Sequence, residues 1–389
     1  MNDSATPAPV ITWTEADTPR SARWRSESGL PPPRRVVVAD DTITADAAYR
    51  LACEGTALLW RSDFQNARQL LGALTRRIER KPRKSAAAAK AAPATPVEAF
   101  HLHRQAQAQR ARTLGMLLIP LDEDYAIPLR RAPDVRPACV EAYGPAEVAS
   151  VASLRELQGL IGAHEWREKG VVVPALGERI HPYYGVFAPI RNEYVGLVAE
   201  AALPSATLLA NGLAFDIGTG TGVLAAVLAR RGVARVVATD MDDRALACAR
   251  DNIARLGLSG QVDVVEADLF PEGCAPLVVC NPPWLPARPS SRLESAVYDL
   301  ESRMLLGFLR GLGAHLTPGG EGWLILSDLA EHLGLRTRAE LLAAIDAAGL
   351  KVLGRIDVRP SHPRVSDTSD PLHTARAAEV TSLWRLAVR

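Results

Sequence analysis

A four-residue segment, Asn281-Pro282-Pro283-Trp284, combines an amide, two prolines and a large aromatic ring. It can present two carbonyl oxygens, one from the Asn281 side chain and one from the Pro282 main chain, to the hydrogens of a planar nitrogen. Consecutive prolines stiffen the turn and bring no N–H group to compete for these oxygens. Trp284 offers a flat face for stacking. The segment therefore predicts a clamp for an sp² nitrogen, with Asn281, Pro282, Pro283 and Trp284 as catalytic residues.

A glycine-rich run, Asp216-Ile-Gly218-Thr219-Gly220-Thr-Gly222, lies upstream of this clamp. Apolar residues before the run favour a buried strand, and the apolar stretch 223–230 after it favours a helix. Glycine at a strand-to-helix turn accepts positive φ and lets a ligand approach main-chain N–H groups. The spacing departs from the dinucleotide fingerprint, because Val223 stands where that fingerprint has its third glycine. A cofactor other than a nicotinamide dinucleotide is therefore favoured, and a purely structural turn stays open.

Three further apolar segments each end in a polar side chain. The segment 236–240 ends in Asp240, whose carboxylate could accept both hydroxyl groups of a ribose. The segment 262–268 ends in Asp268, which could accept a hydrogen bond from an adenine amino group, and 277–280 leads into the clamp. Because open α/β sheets bind ligands at the carboxyl edge of their strands, these polar groups are expected to lie together there.

From about residue 183 onward, this order of segments resembles the class I S-adenosylmethionine-dependent methyltransferases, and the clamp is similar to the Asn-Pro-Pro-aromatic signature of their amino-methyltransferases. The resemblance implies an α/β, Rossmann-like, seven-stranded sheet with helices on both faces and an antiparallel last strand. It implies S-adenosyl-L-methionine as cofactor and no metal. The cofactor-binding residues that it implies are Asp216, Gly218, Thr219, Gly220, Gly222, Asp240, Met241, Asp268, Leu269 and Asn281.

The expected activity is transfer of the methyl group of S-adenosylmethionine to a planar nitrogen held by the clamp. Such a transfer needs no strong general base, because the sulfonium leaving group is already activated and catalysis is mostly positioning and electrostatics. An alternative is a catalytically inactive scaffold or assembly factor that kept the fold. The intact glycines, Asp240 and Asn281 argue against that alternative.

The flanks of the clamp are similar to the release-factor glutamine methyltransferases. The stretch 285–303 corresponds to the loop that follows their clamp, although Ser302 stands in place of a proline and Trp284 in place of a tyrosine. The stretch 182–194 occupies the place of their Pro-Arg-Pro-Glu-Thr-Glu segment. Residues expected to cover the methionine end of the cofactor and the substrate entrance are Tyr184, Phe187, Arg191 and Glu193.

Small-subunit rRNA guanine methyltransferases also carry an Asn-Pro-Pro-aromatic clamp, and a carboxamide presents nearly the same atoms as an exocyclic base amine. The acceptor is therefore expected to be RNA (rRNA or tRNA) or a translation-related protein, at similar weight. Nucleic-acid binding would draw on the chain's one basic concentration, around the alanine-rich insert 80–97. The net charge of +1 leaves both kinds of partner open.

Length and composition predict two domains. A chain of 389 residues with 48% hydrophobic content can bury one large core and one smaller core. Five cysteines without metal-ligand spacing, and the lack of a membrane or secretory segment in the sequence, predict a cytoplasmic protein without a membrane partner. The predicted division is a flexible leader (1–33), an N-terminal α/β accessory domain (34–165) with a disordered insert at about 80–97, and the methyltransferase domain (166–389).

Overall fold

The computed structural model describes residues 8–79, 95–289, 292–360 and 367–389. These residues fall into two compact units. The first unit comprises the described residues before 80 and those from His101 to Glu165, and the second comprises 95–100 and the residues from Trp166 onward. Most of the predicted insert, residues 80–94, lies outside the described residues, whereas residues 96 and 97 begin a helix.

The first unit is a mixed six-stranded sheet with flanking helices. Its strands are β1 Val10–Glu15, β2 Thr18–Arg25, β3 Arg35–Ala39, β4 Thr56–Trp60, β5 Leu117–Leu121 and β6 Ser150–Ser153. The helices that belong to it wholly or in part are α1 Ala45–Cys53, α2 Phe64–Glu79, α3 Pro96–Leu114, α4 Arg136–Tyr143 and α5 Leu154–Lys169. The strand order is β1-β2-β6-β5-β4-β3, and every residue of β4 and β5 is buried, so the core lies at the middle of the sheet.

The prediction of an unfolded leader over residues 1–33 is wrong for residues 10–25, which form an antiparallel hairpin. Ala16 and Asp17 both have positive φ, as a two-residue turn between twisted strands requires. The strands were missed because each contributes few core residues: Ile11 is 1% exposed and Trp24 is 6% exposed. Trp24 also donates its indole N–H to the Leu30 carbonyl at 2.8 Å. Two buried apolar side chains suffice here because the rest of the sheet supplies the core.

The second unit carries the predicted methyltransferase-like sheet. Its strands are β7 Val171–Val173, β8 Glu178–Ile180, β9 Leu213–Ile217, β10 Arg235–Asp240, β11 Val262–Glu266, β12 Ala275–Cys280, β13 Leu316–Ser327, β14 Leu350–Val358 and β15 Thr381–Val388. Its helices are α6 Glu193–Glu200, α7 Val223–Arg230, α8 Asp243–Arg255, α9 Arg292–Ser295, α10 Arg303–Leu312, α11 Leu329–His332, α12 Arg338–Ala347 and α13 His373–Ala378. The strands β7 and β8 form a separate hairpin.

The order of the large sheet is β11-β10-β9-β12-β13-β15-β14. Its first five strands are parallel, and β15 pairs antiparallel with both β13 and β14. The predicted fold class, with seven strands and an antiparallel last strand, is confirmed. The Pro-Gly-Gly sequence at residues 318–320 lies within β13, where the pairing with β12 shifts register. The Pro-Gly-Gly sequence marks an irregularity in the strand rather than its start.

Helices cover both faces of this sheet. On one face, α7 is apolar all round and all but its last residue are buried, so it packs as a core helix. On the other face, α10 buries the stripe Leu305, Phe308, Leu309 and Leu312, which has the spacing of an amphipathic helix. Truncating Phe308 to alanine would cost about 3–5 kcal/mol. None of the helices in the described part of the chain combines the length and apolarity needed to cross a bilayer.

Candidate cofactor and acceptor site

Three neighbouring parallel strands end at the same level of the sheet. Ile217 of β9 is paired with Thr239 of β10 on one side and with Cys280 of β12 on the other. The next residues along the three strands are therefore neighbours at the carboxyl edge: Gly218, Asp240 and Asn281. The structure brings together the glycine loop, the predicted ribose-binding residue Asp240 and the clamp. They meet at the edge where open α/β sheets bind ligands.

The glycine loop has the backbone that its composition suggested. Gly218, Gly220 and Gly222 all have positive φ, at +70°, +56° and +80°. A Cβ at Gly218 would also overlap the methyl group of Met304 at the start of α10. At Gly220, by contrast, a Cβ would meet nothing within 4 Å, so the loop faces open space there. The backbone leaves room for a ligand to lie directly against Gly220.

Asp216 holds this loop from inside. The side chain is 1% exposed, and its Oδ2 accepts hydrogen bonds from the Thr219 hydroxyl at 2.6 Å and from the Ala225 N–H at 3.1 Å. Burial raises the pKa of Asp216 to about 6, although the two hydrogen bonds oppose the shift. These two hydrogen bonds join Asp216 to the glycine turn and to the start of α7. Asp216 therefore stabilises the conformation of the loop from the protein interior.

Asp240 is held by three main-chain donors. Its Oδ2 accepts from the Gly220 N–H at 3.0 Å, and its Oδ1 accepts from the N–H groups of Met241 and Asp242 at 2.9 and 3.1 Å. Burial raises the pKa of Asp240, and the three backbone hydrogen bonds oppose that shift. A carboxylate fixed in this way is preorganised for a diol. It also ties the end of β10 to the glycine loop.

The remaining predicted cofactor residues lie farther along the same edge. Met241 is 67% exposed and Asp268 is also exposed. Leu269 has a φ of +72°, and its carbonyl accepts a hydrogen bond from the Thr239 hydroxyl at 2.6 Å. A non-glycine residue in the left-handed region is strained, and here the Thr239 contact and the packing of α10 hold it in place.

The glycine loop and Asp240 form a cradle whose shape can be compared with that of S-adenosylmethionine. An amino-acid chain lying on the loop would meet only main-chain atoms at Gly220, and a ribose beside it would meet the fixed carboxylate of Asp240. An exposed thioether at Met241 adds an apolar surface next to that carboxylate. The residues present therefore fit this cofactor.

The clamp has an internal hydrogen bond that the sequence did not reveal. Trp284 donates its indole N–H to the side-chain carbonyl of Asn281 at 2.9 Å. An indole N–H can only donate, so this contact requires the oxygen of the Asn281 amide, not its nitrogen, on the tryptophan side. Pro282 is buried and Pro283 half-buried. The Trp284 ring is also half-buried and packs against the core on both faces of the sheet.

The loop after the clamp folds back on itself. The N–H of Leu285 donates to the Val297 carbonyl at 3.1 Å, and the N–H of Asp299 donates to the Leu285 carbonyl at 2.9 Å. The Asp299 carboxylate accepts from the Met304 N–H at 2.7 Å and thereby caps α10, whose preceding residue Ser302 has a φ of +55°. Burial raises the pKa of Asp299. Sequence patterns missed Asp299, although an acidic residue just before a helical stripe is a recognised capping signal.

The segment 182–194, called the upstream segment from here on, contacts α8, the helix that follows β10. The Arg244 guanidinium lies over the Tyr184 ring at 5.7 Å and donates to the Tyr184 carbonyl at 3.3 Å. Phe187 packs against the core cluster that also contacts Trp284. Glu193 begins α6.

Arg191 reaches a partner far along the chain. It donates to the carboxylate of Glu379 at 3.3 Å, and Glu379 is 1% exposed. The hydroxyl of Ser327, the last residue of β13, donates to the other oxygen of the same carboxylate at 2.7 Å. The upstream segment is thus joined to the ends of β13 and β15. No sequence pattern indicated Glu379, because its partners are 52 and 188 residues away.

Asn252 of α8 is a third residue that sequence patterns missed. Its side-chain oxygen accepts from the His181 N–H at 2.7 Å, and its nitrogen donates to the Thr221 carbonyl at 3.1 Å. The buried amide therefore joins His181, which directly precedes the stretch 182–194, to the glycine loop. A signal was present, since Asn252 is a polar residue on the otherwise apolar face of α8.

Comparisons with known proteins agree with this geometry. Residues 185–337 match the family model of the methyltransferase small domain. The release factor glutamine methyltransferase of Cereibacter sphaeroides is 36% identical over 186 residues, which cover 43% of this chain and 63% of that protein. The ribosomal protein L11 methyltransferase of Pelotomaculum thermopropionicum is 36% identical over 147 residues, which cover 37% of this chain and 40% of that protein.

Among solved structures, the ribosomal protein L11 methylase from Lactobacillus delbrueckii subsp. bulgaricus superposes with a TM-score of 0.36 at 18% identity, covering 55% of this chain and 87% of that one. The chain spans 63% and 40% of the length of the two sequence relatives. The similarity to these relatives concerns part of the molecule, and residues 185–337 within it match the methyltransferase small domain.

Proposed function

We propose that the second unit transfers a methyl group from S-adenosylmethionine to a planar nitrogen. The observation that carries this proposal is the hydrogen bond between Trp284 and Asn281, one strand away from the glycine loop. It fixes the direction of the Asn281 carbonyl at the edge where Gly220 and Asp240 form the cofactor cradle. Acceptor and donor groups would then meet with little reorganisation.

The cofactor would be held by main-chain groups and one carboxylate. Gly218, Thr219, Gly220 and Gly222 would face its methionine part, with Asp216 keeping the loop in shape. Asp240 would bind the ribose. Residues placed farther along the edge, beside the adenine, would be Met241, Asp268 and Leu269. When bound, the cofactor supplies a methyl group activated by a positively charged sulfur.

Asn281 and Pro282 would orient the acceptor nitrogen. A carbonyl oxygen has two lone pairs, so the Asn281 oxygen can accept from Trp284 and from one acceptor hydrogen at the same time. The Pro282 carbonyl would accept the second hydrogen. Holding both hydrogens favours pyramidal geometry and makes the nitrogen lone pair available for attack. The nitrogen loses a proton to solvent after it is methylated, so no strong base is needed.

The acceptor that we favour is a side-chain amide on a translation-related protein. The support is the similarity to relatives named for glutamine methylation of release factors and for methylation of ribosomal protein L11. An exocyclic base amine in RNA would present the same two hydrogens to the clamp. The basic stretch that would favour RNA, residues 80–90, lies outside the described residues.

The acceptor can be identified by labelling. Purified protein is incubated with tritiated S-adenosylmethionine and a ribosome- and tRNA-containing extract of a strain that lacks the gene, and the product is treated separately with ribonuclease and with protease. Label that survives ribonuclease and is lost to protease supports the protein acceptor. Label released by ribonuclease overturns it in favour of an RNA base. The Asn281→Ala protein in the same extract is the control for contaminating enzymes.

An inactive scaffold makes a different set of predictions. It would label nothing in either fraction, and Asn281→Ala would leave its binding of a partner unchanged. If calorimetry of the purified protein finds no saturable binding of S-adenosylmethionine, both the methyltransferase proposal and the cofactor assignment fail.

A further inference from the structure

Arg336 is a buried arginine whose side chain lacks a hydrogen-bond partner among the described residues. It lies between α11 and α12 of the second unit and is 8% exposed. None of its three guanidinium nitrogens makes a hydrogen bond to a described residue. Its main-chain N–H donates to the Ala330 carbonyl at 3.3 Å, so the backbone is anchored while the head group is not.

A buried guanidinium in this condition is energetically expensive. The group stays charged at any ordinary pH, and an ion taken out of water without a partner costs several kcal/mol. Arginine tolerates burial mainly where an edge of its planar guanidinium meets a carboxylate or a phosphate through paired N–H donors. Arg336 therefore has the chemistry of an anion ligand.

The nearby carboxylates are engaged elsewhere. Glu331 accepts from the Arg338 guanidinium at 2.7 Å. Glu340 closes the capping box at the start of α12, accepting from the Thr337 N–H and hydroxyl at 2.7 and 2.9 Å. Both carboxylates attract the Arg336 charge from a distance, but neither contacts it. Glu331 and Glu340 therefore attract the positive charge of Arg336 without neutralising it through direct contact.

Residues adjacent to Arg336 in sequence pack against the start of the loop that follows the clamp. Its neighbours Leu333 and Leu335 pack in one apolar cluster with Leu285, the residue directly after Trp284. The charge of Asp299, on the same loop, acts on Arg336 and also on Cys280, the residue before Asn281. An anion at Arg336 would thus be within electrostatic reach of the loop that positions the acceptor.

We propose that Arg336 binds an oxyanion, a carboxylate or a phosphate, between α11 and α12. Two parallel N–H···O bonds would neutralise the guanidinium close to the cluster that holds Leu285. The oxyanion has two sources with the same chemistry, a small free anion or a group carried by the methyl acceptor. The second source rests on the proposed function, whereas the binding site itself does not.

The binding site is tested by thermal unfolding at constant ionic strength, with chloride replaced stepwise by inorganic phosphate or by acetate. Wild-type protein is compared with Arg336→Met and with Arg338→Met, a nearby arginine that is already paired with Glu331. We expect the Tm of the wild type and of Arg338→Met to rise by about 4 °C at tenfold saturation. Arg336→Met should show no rise, and in chloride alone it should be at least as stable as the wild type.

Two outcomes overturn the proposal. One is an equal rise in Tm for wild type and Arg336→Met, which would mean general salt screening. The other is a large loss of stability of Arg336→Met in chloride, or failure of both Arg336→Met and Arg336→Gln to fold, which would mean that the guanidinium is already satisfied.

The source of the oxyanion is distinguished by inhibition. If the acceptor carries the group, phosphate inhibits methylation competitively with the acceptor in the wild type and not in Arg336→Met. If a free anion fills the site, phosphate raises the Tm without competing. Loss of methyl transfer altogether, with the Tm rise intact, would sink the proposed function and leave the anion site standing.

Discussion

The carboxyl edge of the large sheet has two parts that are built differently. The proposed cofactor half consists of the glycine loop 216–222 and Asp240, and the proposed acceptor half consists of the clamp 281–284, the residues after it and the upstream segment 182–194. In the cofactor half, the stabilising contacts run between residues close in sequence or from side chain to main chain, as in Asp216 to Thr219 and Asp240 to Gly220. In the acceptor half, the Asn281–Trp284 and Asp299–Met304 contacts are local. The upstream segment that borders it is held by Glu379, at a distance of 188 residues along the chain.

This difference has a functional meaning. A binding site made of main-chain groups suits a ligand that is always the same, because substitution of side chains changes its contacts little. An edge assembled from distant side chains can be altered by changing one partner at a time. We therefore expect substitutions in the cofactor half to change cofactor binding and stability, and substitutions in the acceptor half to change turnover.

The largest expected effect is that of Asn281→Ala. Removing the oriented carbonyl should lower turnover by about 100- to 1,000-fold, as loss of one preorganised hydrogen-bonding group does in other active sites. S-adenosylmethionine affinity, measured by calorimetry, should stay within about twofold, because the cradle is made of other residues. Asn211→Ala, at an exposed position before β9, is the matched control. A parallel loss of affinity and turnover would erase the distinction between the two halves.

The next effect concerns the pH dependence of stability. Asp216 has a folded pKa of about 6 against an ordinary value of 3.8, so the folded state binds its proton more tightly. Stability should then fall as pH rises from about 4 to about 6, by about 3 kcal/mol at most. Asp216→Asn keeps an acceptor for the Thr219 hydroxyl and the Ala225 N–H, and should lack this dependence.

The measurement is urea unfolding of both proteins at a series of pH values. The difference in free energy of unfolding between wild type and Asp216→Asn should shift in favour of the variant across that window. Asp263→Asn, which changes an exposed aspartate on β11, should follow the wild type. If the free energies of unfolding of wild type and Asp216→Asn changed in parallel with pH, burial would not raise the pKa of Asp216.

Much of the cofactor half could be predicted from sequence for a physical reason. Glycines that need positive φ and a carboxylate at the end of an apolar strand are local features, and the positions of Gly218, Gly220 and Asp240 follow from them. The apolar runs likewise predicted the strands β9, β10, β11 and β12, because parallel strands buried on both faces appear as short apolar runs.

The acceptor half could not be predicted to the same extent. Nothing near Glu379 in sequence indicates that Arg191 and Ser327 converge on it, since the tertiary fold creates that contact. The hairpin at residues 10–25 was missed for a related reason: its strands bury few residues of their own and pair with β6, which is far away in sequence. Asn252 is different, because a buried polar residue on an apolar helix face is a signal that can be searched for.

The role of Trp284 can be sharpened with Trp284→Phe. Phenylalanine keeps an aromatic ring and removes the N–H that orients Asn281, so turnover should fall by about tenfold, the value of roughly one hydrogen bond. Trp284→Leu removes the ring as well. Trp384→Phe, a buried tryptophan of β15 that does not contact Asn281, is the control. Full activity of Trp284→Phe together with loss in Trp284→Leu would make stacking, not orientation, the function of the ring.

The smallest expected effect tests the long-range tie. Glu379→Gln keeps an acceptor for the Ser327 hydroxyl and removes the charge that pairs with Arg191, whose side chain is 27% exposed and can be solvated in compensation. The KM for the acceptor should therefore rise only about threefold, with cofactor affinity unchanged. Arg191→Gln in the Glu379→Gln background should add nothing further if both act through one contact. Additive effects, or a loss of cofactor affinity in Glu379→Gln, would mean that this contact supports the cofactor half too, and the two halves would no longer be separable.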